Sequence, residues 1–413
     1  MAHQHPPQPS PLPSLLPLGQ GPRVVVYHQT IHQHGKHVSL LPLITNQTGV
    51  THVIIAAIHL NEGPGNITLN DDPPEAEKYQ QLWSEAAWLK ASGVPVLGML
   101  GGAAKGTFAR LDGDDASVSR PLSLTYSCAR QSPFSLLPLS PYHASPCSLS
   151  PQFHAYYTPL ATLIQRHSLS GLDLDIEEPM SLRGAVRLID RLRTDFGPNF
   201  LITLAPVATA LLPQQPHLSG FSYFELERVR GGSVAWYNTQ FYCGWGDASN
   251  TAHYDAVVAC GWRPEKVVMG LITNPALGAG HVEPGRMQDV LRVLRARYPG
   301  FGGVMGWEYF CARPGEHERP WEWARDVARC VRSVLPPGRV DGGRGVEAPG
   351  IVPGLPPPVP GGHPGSLPLP QHPFPQRDVG FLTELGFSSR QAVAALNMTG
   401  GNVDLAAGLL FED

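Results

Sequence analysis

Eight short apolar segments with strand character recur between residues 24 and 307, and amphipathic segments separate several of them. The strand candidates are Val24–Tyr27, Val53–His59, Val94–Leu100, Leu172–Glu177, Leu201–Ala205, Val234–Tyr242, Val267–Ile272 and Gly303–Trp307. Between them Leu160, Leu163, Ile164 and His167 keep helical spacing, as do Met287, Val290, Leu291 and Leu294. Eight strands alternating with helices predict an α/β chain folded as a (β/α)8 TIM barrel. In that fold the active site lies at the C-terminal strand ends. A doubly wound open sheet is the competing architecture. It calls for a glycine-rich phosphate turn after the first strand, where this chain reads Tyr27-His28-Gln29-Thr30.

The fourth candidate carries the chemistry. From Gly171 to Glu177 the chain reads Gly-Leu-Asp-Leu-Asp-Ile-Glu, which alternates with period two. Leu172, Leu174 and Ile176 face one side; Asp173, Asp175 and Glu177 face the other. Three carboxylates on one face cannot all be buried and ionised without large cost. A fold keeps such a set where a proton is held among them, which is what a general acid near neutral pH requires. The wholly aliphatic opposite face argues against a solvated edge strand. Glu177 is the last acid on the strand, and Glu178 and Pro179 mark its end.

This segment resembles the active-site strand of glycoside hydrolase family 18, the chitinases and endo-β-N-acetylglucosaminidases. The family pattern is Asp-x-x-Asp-x-Asp-x-Glu on strand four. Ser170 stands at the first position, a departure that bears on strand anchoring more than on chemistry, and Asp173, Asp175 and Glu177 fall in register. Leu100-Gly101-Gly102 matches the Gly-Gly motif that ends strand three. Asn238-Thr239-Gln240-Phe241-Tyr242 resembles the Gln-x-Tyr motif of the plant and fungal class III branch. Met305-Gly306-Trp307 resembles the tryptophan-bearing end of strand eight. The likeness runs from about Arg23 to about Val334, with four motifs in order.

A retaining glycosidase of the usual kind needs two carboxyls about 5–5.5 Å apart on opposite sides of the bond. Asp175 and Glu177 lie side by side on one strand, so the nucleophile must come from elsewhere. The resemblance implies that it is the substrate's own N-acetyl carbonyl, closing on the anomeric carbon as an oxazolinium ion. It implies further that Glu177 protonates the leaving oxygen and later activates water, and that Asp175 holds the acetamide N–H. Asp173 would sit behind Asp175 and share a proton with it, so that the cluster titrates as a unit. Tyr242 would bond the acetamide oxygen, and Trp307 would form an apolar floor under the reacting sugar. Gln240 and Asn238 join them as substrate-binding residues. Tyr27 reads as a cleft residue or as barrel filling, and Trp236 and Trp245 as a sugar-stacking track or as packing. No cofactor is implied. The histidines at 32, 34 and 37 read as a solvated loop, with no acid or thiolate spaced to join them as metal ligands.

The remaining segments differ in kind. Residues 1–22 are rich in proline and histidine and read as disordered. They have neither the basic start nor the continuous apolar core of a secretory signal, which predicts a cytoplasmic protein. No run approaches the ~20 apolar residues of a membrane span. The six cysteines include no Cys-x-x-Cys pair, so neither a disulfide framework nor a zinc site is expected. Residues 335–376 are dominated by proline and glycine and read as a disordered or polyproline-like linker.

Residues 377–413 then return to helical pattern, at Asp378–Glu384, Ser389–Leu396 and Val403–Phe411. Leu385-Gly386-Phe387 and Gly401-Asn402-Val403-Asp404-Leu405-Ala406 resemble the loop and the signature of the three-helix ubiquitin-associated (UBA) domain. That resemblance implies a ubiquitin or polyubiquitin partner, docked on Leu385, Gly386, Phe387, Leu409 and Leu410.

One stretch breaks the barrel pattern. Residues 118–150 are rich in Ser, Pro and Leu without periodicity, inside a connection of about 70 residues, beyond ordinary loop lengths. They read as a disordered insert, and as a translated intron or gene-model error rather than a lid. The net charge of −4 with scattered basic residues gives no sign of a nucleic-acid partner. Three functions therefore stand. The first is a chitinase-like glycosidase cutting β-1,4 bonds between N-acetylglucosamine units. The second is a cytosolic endo-β-N-acetylglucosaminidase acting on N-glycan cores. The third is an inactive carbohydrate-binding or ubiquitin adaptor, against which the intact Glu177, Asp175 and Tyr242 argue.

Overall fold

The computed structural model describes residues 21–113, 150–332, 374, 376–384 and 389–398. The N-terminal extension, nearly all of the 118–150 insert and of the 335–376 linker, and the expected helix at 403–411 lie outside them. Two compact units divide the chain, Met1–Arg332 and Ser333–Asp413.

In the first unit eight parallel strands close on themselves. They are β1 (Arg23–His28), β2 (His52–Leu60), β3 (Val96–Gly101), β4 (Gly171–Asp175), β5 (Leu201–Leu204), β6 (Trp236–Gln240), β7 (Val267–Ile272) and β8 (Gly303–Trp307). Each pairs with the next, and β8 returns to β1 in the register Arg23↔Gly303 to Val26↔Gly306. Helices α1 (Pro42–Thr45), α2 (Gln80–Ala91), α3 (Pro151–Arg166), α4 (Leu182–Phe196), α5 (Tyr223–Arg230), α6 (Ala252–Ala259), α7 (Pro284–Arg297) and α8 (Trp321–Arg332) follow the strands in turn. This is the (β/α)8 barrel that the strand–helix alternation predicts. A hairpin of His32–Gln33 and Lys36–His37 and a short antiparallel strand Ile67–Leu69 decorate the ends of β1 and β2.

Alternation along the strands builds two apolar layers. Val24, Val26, Leu172 and Leu174 point outward and pack under the helices. Val25, Tyr27, Leu97, Met99, Trp236, Val268 and Met305 point inward and fill the barrel. The helices begin where serine side chains cap them. Ser150, Ser181 and Ser222 accept from the amides of Phe153, Gly184 and Glu225 at the starts of α3, α4 and α5. Met287, Val290, Leu291 and Leu294 form the buried face of α7, as their spacing predicts.

Several strand ends shift by one residue from expectation, and three strands, β3, β4 and β6, shift by two at an end. β3 starts at Val96 rather than Val94, because Pro95 has no N–H to donate to a ladder. β4 stops at Asp175, so Ile176 and Glu177 lie just past its end. β6 stops at Gln240, and the chain turns at Cys243, whose φ is 52°, so Tyr242 also lies past its strand.

In the second unit, α9 (Gln376–Glu384) and α10 (Ser389–Met398) enclose a small apolar cluster of Val379, Leu382, Ala392, Ala395 and Leu396. Leu385, Gly386, Phe387, Leu409 and Leu410 lie outside the described residues. Among the described residues no helix is long and apolar enough to cross a membrane.

Candidate active site

β4 delivers its acids to the inside of the barrel. Asp173 is completely buried, Asp175 is 6% exposed, and Glu177 emerges half-buried beyond the strand end. Asp173 accepts three hydrogen bonds. Tyr27 on β1 donates its hydroxyl to Oδ2 at 2.7 Å; Thr203 on β5 and Asn238 Nδ2 on β6 donate to Oδ1 at 2.5 and 3.0 Å. Above it, the Gln240 side-chain amide lies between the next two acids, 3.2 Å from Asp175 Oδ1 and 3.1 Å from Glu177 Oε1. The Ala205 carbonyl, 3.0 Å from the same nitrogen, anchors that amide to β5.

Burial dominates the electrostatics. It pushes the Asp175 carboxyl well above the ordinary carboxylate range, and the charges of Glu177 and then Asp173 push it further, against the Gln240 amide. Burial also raises Glu177, again opposed by Gln240. Asp173 is raised by burial while Thr203, Tyr27 and Asn238 pull it back. The Tyr242 hydroxyl is held far above its usual value by burial and then by Asp175 and Glu177. A carboxyl whose proton affinity is raised by burial is suited to give a proton and take it back.

The backbone around the cluster is shaped for close approach. Gly101 and Gly102, at φ of 94° and 96°, turn β3 away at its end. A Cβ at Gly101 would sit 2.5 Å from the Asp175 carbonyl oxygen and 2.3 Å from the Phe108 ring. The Gly-Gly motif is thus needed for the left-handed backbone and for contact with β4. Glu178 turns away from the cleft. Its two carboxylate oxygens accept from the amides of Gly106 and Phe108, both at 2.6 Å, and tie the end of β4 to the six-residue helix Thr107–Asp112. Glu308, after β8, accepts from the amides of Gln29 and Thr30, each at 2.8 Å, and from the Thr30 hydroxyl.

These elements surround an open cleft of about 780 Å³ at the C-terminal ends of the strands. Asp175, Glu177, Gln240, Tyr242, Trp307 and Trp245 all line it, with Gln29, Thr30 and Gly102 from the other side. The sequence-expected residues thus converge, with corrections. Tyr27 and Asn238 do not line the cleft. Both are fully buried, with their polar atoms turned to Asp173, so they support the acid from below. Trp236 is 2% exposed inside the barrel, against His52 and under the Arg23 guanidinium, so it belongs to no sugar-stacking track. No hydrogen bond joins Asp173 to Asp175; the donors that fill both Asp173 oxygens come from β1, β5 and β6. His37 is not in a solvated loop either. It pairs with Glu85 of α2 at 3.2 Å, an acid too distant in sequence for spacing to suggest. Among the described residues no group of His, Cys, Asp and Glu could hold a metal ion.

Sequence reasoning missed Thr203, Glu178 and Glu308. Thr203 is recognisable only through strand pairing, since it lies opposite Asp173 in the β4–β5 register. Glu178 and Glu308 directly follow Glu177 and Trp307, and their signal was adjacency alone.

No protein-family model matches the chain. Two solved structures align along nearly their whole length. The chitinase ChiC of Aspergillus fumigatus is 51% identical with a TM-score of 0.62, and the alignment covers 73% of this chain and 97% of that one. A fungal endo-β-N-acetylglucosaminidase from glycosyl hydrolase family 18 is 42% identical with a TM-score of 0.65, over 75% of this chain and 98% of that one. Curated relatives match in part only. Chitinase 2 of Rhizopus oligosporus is 31% identical over 152 residues, 34% of this chain, and the match spans a quarter (25%) of that relative's length. A stretch of 39 residues is 56% identical to DNA damage-inducible protein 1 of Kluyveromyces lactis, 9% of each chain.

Proposed function

Because the chain belongs to glycosyl hydrolase family 18, we propose that it cleaves β-1,4 bonds between N-acetylglucosamine units with retention, using the substrate's own acetamide as nucleophile. The observation that carries this reading is the single Gln240 amide lying within 3.2 Å of both Asp175 and Glu177. Two carboxyls that share one amide approach a sugar from the same side. The opposed pair that an enzyme-borne nucleophile requires is not formed by them.

Glu177, the more exposed of the two, protonates the leaving oxygen and then takes a proton from the incoming water. Asp175 accepts the acetamide N–H, which turns the acetamide oxygen toward the anomeric carbon and offsets the positive charge of the oxazolinium ion. Tyr242 donates to that oxygen, Gln240 fixes both carboxylates, and the Trp307 ring supports the apolar face of the sugar. The bond from the anomeric carbon to the leaving oxygen breaks as the acetamide oxygen forms its bond. Water then reverses the closure, so the acetamide is regenerated and the configuration kept.

The relatives named above comprise both chitinases and an endo-β-N-acetylglucosaminidase, and both substrates fit this chemistry. Purified protein given chitotetraose and a high-mannose glycopeptide side by side decides between chitin fragments and N-glycan cores. Release from the glycopeptide alone assigns the endo-β-N-acetylglucosaminidase reading, and turnover of neither assigns the adaptor. A chitotetraose analogue lacking its acetamides tests the nucleophile. It should not be cleaved, and cleavage at an equal rate would overturn the mechanism.

The tail adds a second, independent activity. Helices α9 and α10 with the Leu385-Gly386-Phe387 motif between them in sequence support a ubiquitin-binding module at 377–413. Full-length protein should be captured on immobilised polyubiquitin and the chain lacking 377–413 should not; equal capture of both would remove the assignment.

A further inference from the structure

Beneath the acids, one side-chain amide has its orientation fixed by a partner that cannot accept a hydrogen bond. Trp236 and Asn238 are two apart on β6 and share its inward face. The Trp236 indole N–H donates to Asn238 Oδ1 at 2.9 Å, and Asn238 Nδ2 donates to Asp173 Oδ1 at 3.0 Å. An amide can otherwise turn over and exchange its oxygen for its NH2. An indole nitrogen is a donor only, so Asn238 must present its oxygen to Trp236 and its NH2 to Asp173. The other two partners of Asp173 are hydroxyls, which can rotate and accept. The locked amide is the one partner that cannot.

We propose that Trp236 is a positioning residue for the acid cluster: by locking the Asn238 amide it keeps Asp173 an anion, which leaves the working proton to Asp175 and Glu177. The inference rests on the hydrolase reading above and adds the device that fixes its proton count. The lock is itself rigid. The Trp236 ring packs against His52 at 4.7 Å between centroids and lies under the Arg23 guanidinium at 4.5 Å.

The titratable groups that bear on Asp173 are Tyr27 from β1, Asp175 from β4, Tyr223 from α5 and Tyr242 after β6. Among the described residues no lysine or arginine forms an ion pair with it. Its charge is therefore balanced by hydrogen-bond donors alone, and each donor counts. An anionic Asp173 raises the proton affinity of Asp175 above it. A protonated Asp173 would draw the working proton down and away from the substrate.

The test is the pH profile of kcat/KM for Trp236→Phe, which keeps a ring in place and removes the N–H, and for Asn238→Leu, which removes the amide. With a donor to Asp173 weakened, Asp173 takes up a proton at higher pH. The acid limb should move upward by about one pH unit, with kcat lowered roughly tenfold and KM within about twofold of wild type. A lower kcat with both limbs unmoved would mean a merely structural role and would overturn the proposal. If one variant fails to fold, the other carries the test.

An infrared titration reads the same quantity without turnover. The protonated-carboxyl band should persist to higher pH in the variants by the same amount, and coincidence with wild type would sink the idea. Wild-type protein that cleaves no N-acetylglucosamine substrate defeats the hydrolase reading alone, since the infrared result still decides the charge of Asp173.

Discussion

Gly102 donates its backbone amide to the carbonyl of Asp175 at 2.9 Å, which joins the ends of β3 and β4 at the acid cluster. Its neighbour Gly101 makes that junction possible. Gly101→Ala would place a Cβ 2.5 Å from the Asp175 carbonyl oxygen, at a φ of 94° that side chains rarely adopt. The backbone of β4 must shift, and a displacement of this kind near reacting groups costs on the order of 100-fold in rate. Steady-state kinetics on a turned-over N-acetylglucosamine oligosaccharide should show that loss mainly in kcat. Wild-type kcat in this variant would mean that the junction does not position the acid.

Glu177→Gln removes the proton that leaves with the aglycone and keeps the shape of the cleft. Hydrolysis should fall by roughly 100-fold or more, while an oligosaccharide still binds by calorimetry. Retained turnover would reject Glu177 as the acid.

Glu178 tests the frame rather than the chemistry. Both its oxygens accept from backbone amides, and a glutamine can replace one of them as acceptor but not both. Glu178→Gln then leaves one buried N–H facing an NH2, at a cost of about 1–3 kcal/mol. A lowered melting temperature is expected, together with a several-fold loss of kcat, because the Gly101–Gly106 turn borders the cleft. Unchanged stability would show that the clamp contributes nothing.

The barrel was legible because its period-two strands are buried on both faces and so read as apolar runs. The acids stood out because Asp173 and Asp175 interrupt such a run at alternate positions. What sequence could not give is the pairing across strands. Thr203, Tyr27 and Asn238 meet at Asp173 from three other strands, and only closure of the barrel brings them there. Asn238 therefore reads one layer too high, and Tyr27 takes the barrel-filling side of its two readings. Position along a strand says which face a side chain takes, and not how deep it lies below the mouth.

Buried ionisable groups make stability depend on pH in two opposed ways. His28 and His52 are buried and held neutral, each lowered from 6.5 to about 3, chiefly by burial. The native state then binds fewer protons than the unfolded chain below pH 6.5. Stability from these groups is complete above 6.5 and is lost as pH falls from there toward 3. Asp175, Glu177 and Glu308 are raised instead, each first by burial. Their contribution is present below the ordinary carboxylate range and lost as pH rises through their native values.

His28 packs edge-on against Tyr309 at 5.7 Å, and neither of its ring nitrogens has a hydrogen-bond partner among the described residues. His28→Phe should therefore stabilise the fold, and the gain in melting temperature should grow between pH 6.5 and 4. Asp175→Asn should show the mirror image, a gain that grows with rising pH. A pH-independent difference for His28→Phe would mean that the histidine is not held neutral in the native state.

The two residues that flank positions 114–149, Gly113 and Ser150, are in direct contact. The Ser150 hydroxyl donates to the Gly113 carbonyl at 3.0 Å, and the Gln152 side-chain amide donates to the Arg110 carbonyl at 3.1 Å. Ser150 also caps α3 through the Phe153 amide at 3.1 Å, so both flanks are already fixed in place. Gly113 and Ser150 are already in hydrogen-bond contact, so a direct join replaces a long connection by a short one, and the closure entropy involved changes only slowly with length. The chain lacking residues 114–149 should fold, melt within a few degrees of the full protein and keep kcat/KM on chitotetraose or glycopeptide within about threefold, a margin under 1 kcal/mol. Loss of turnover with the fold intact would instead assign the segment a part in substrate binding, and transcript sequencing would then be expected to recover it at full abundance.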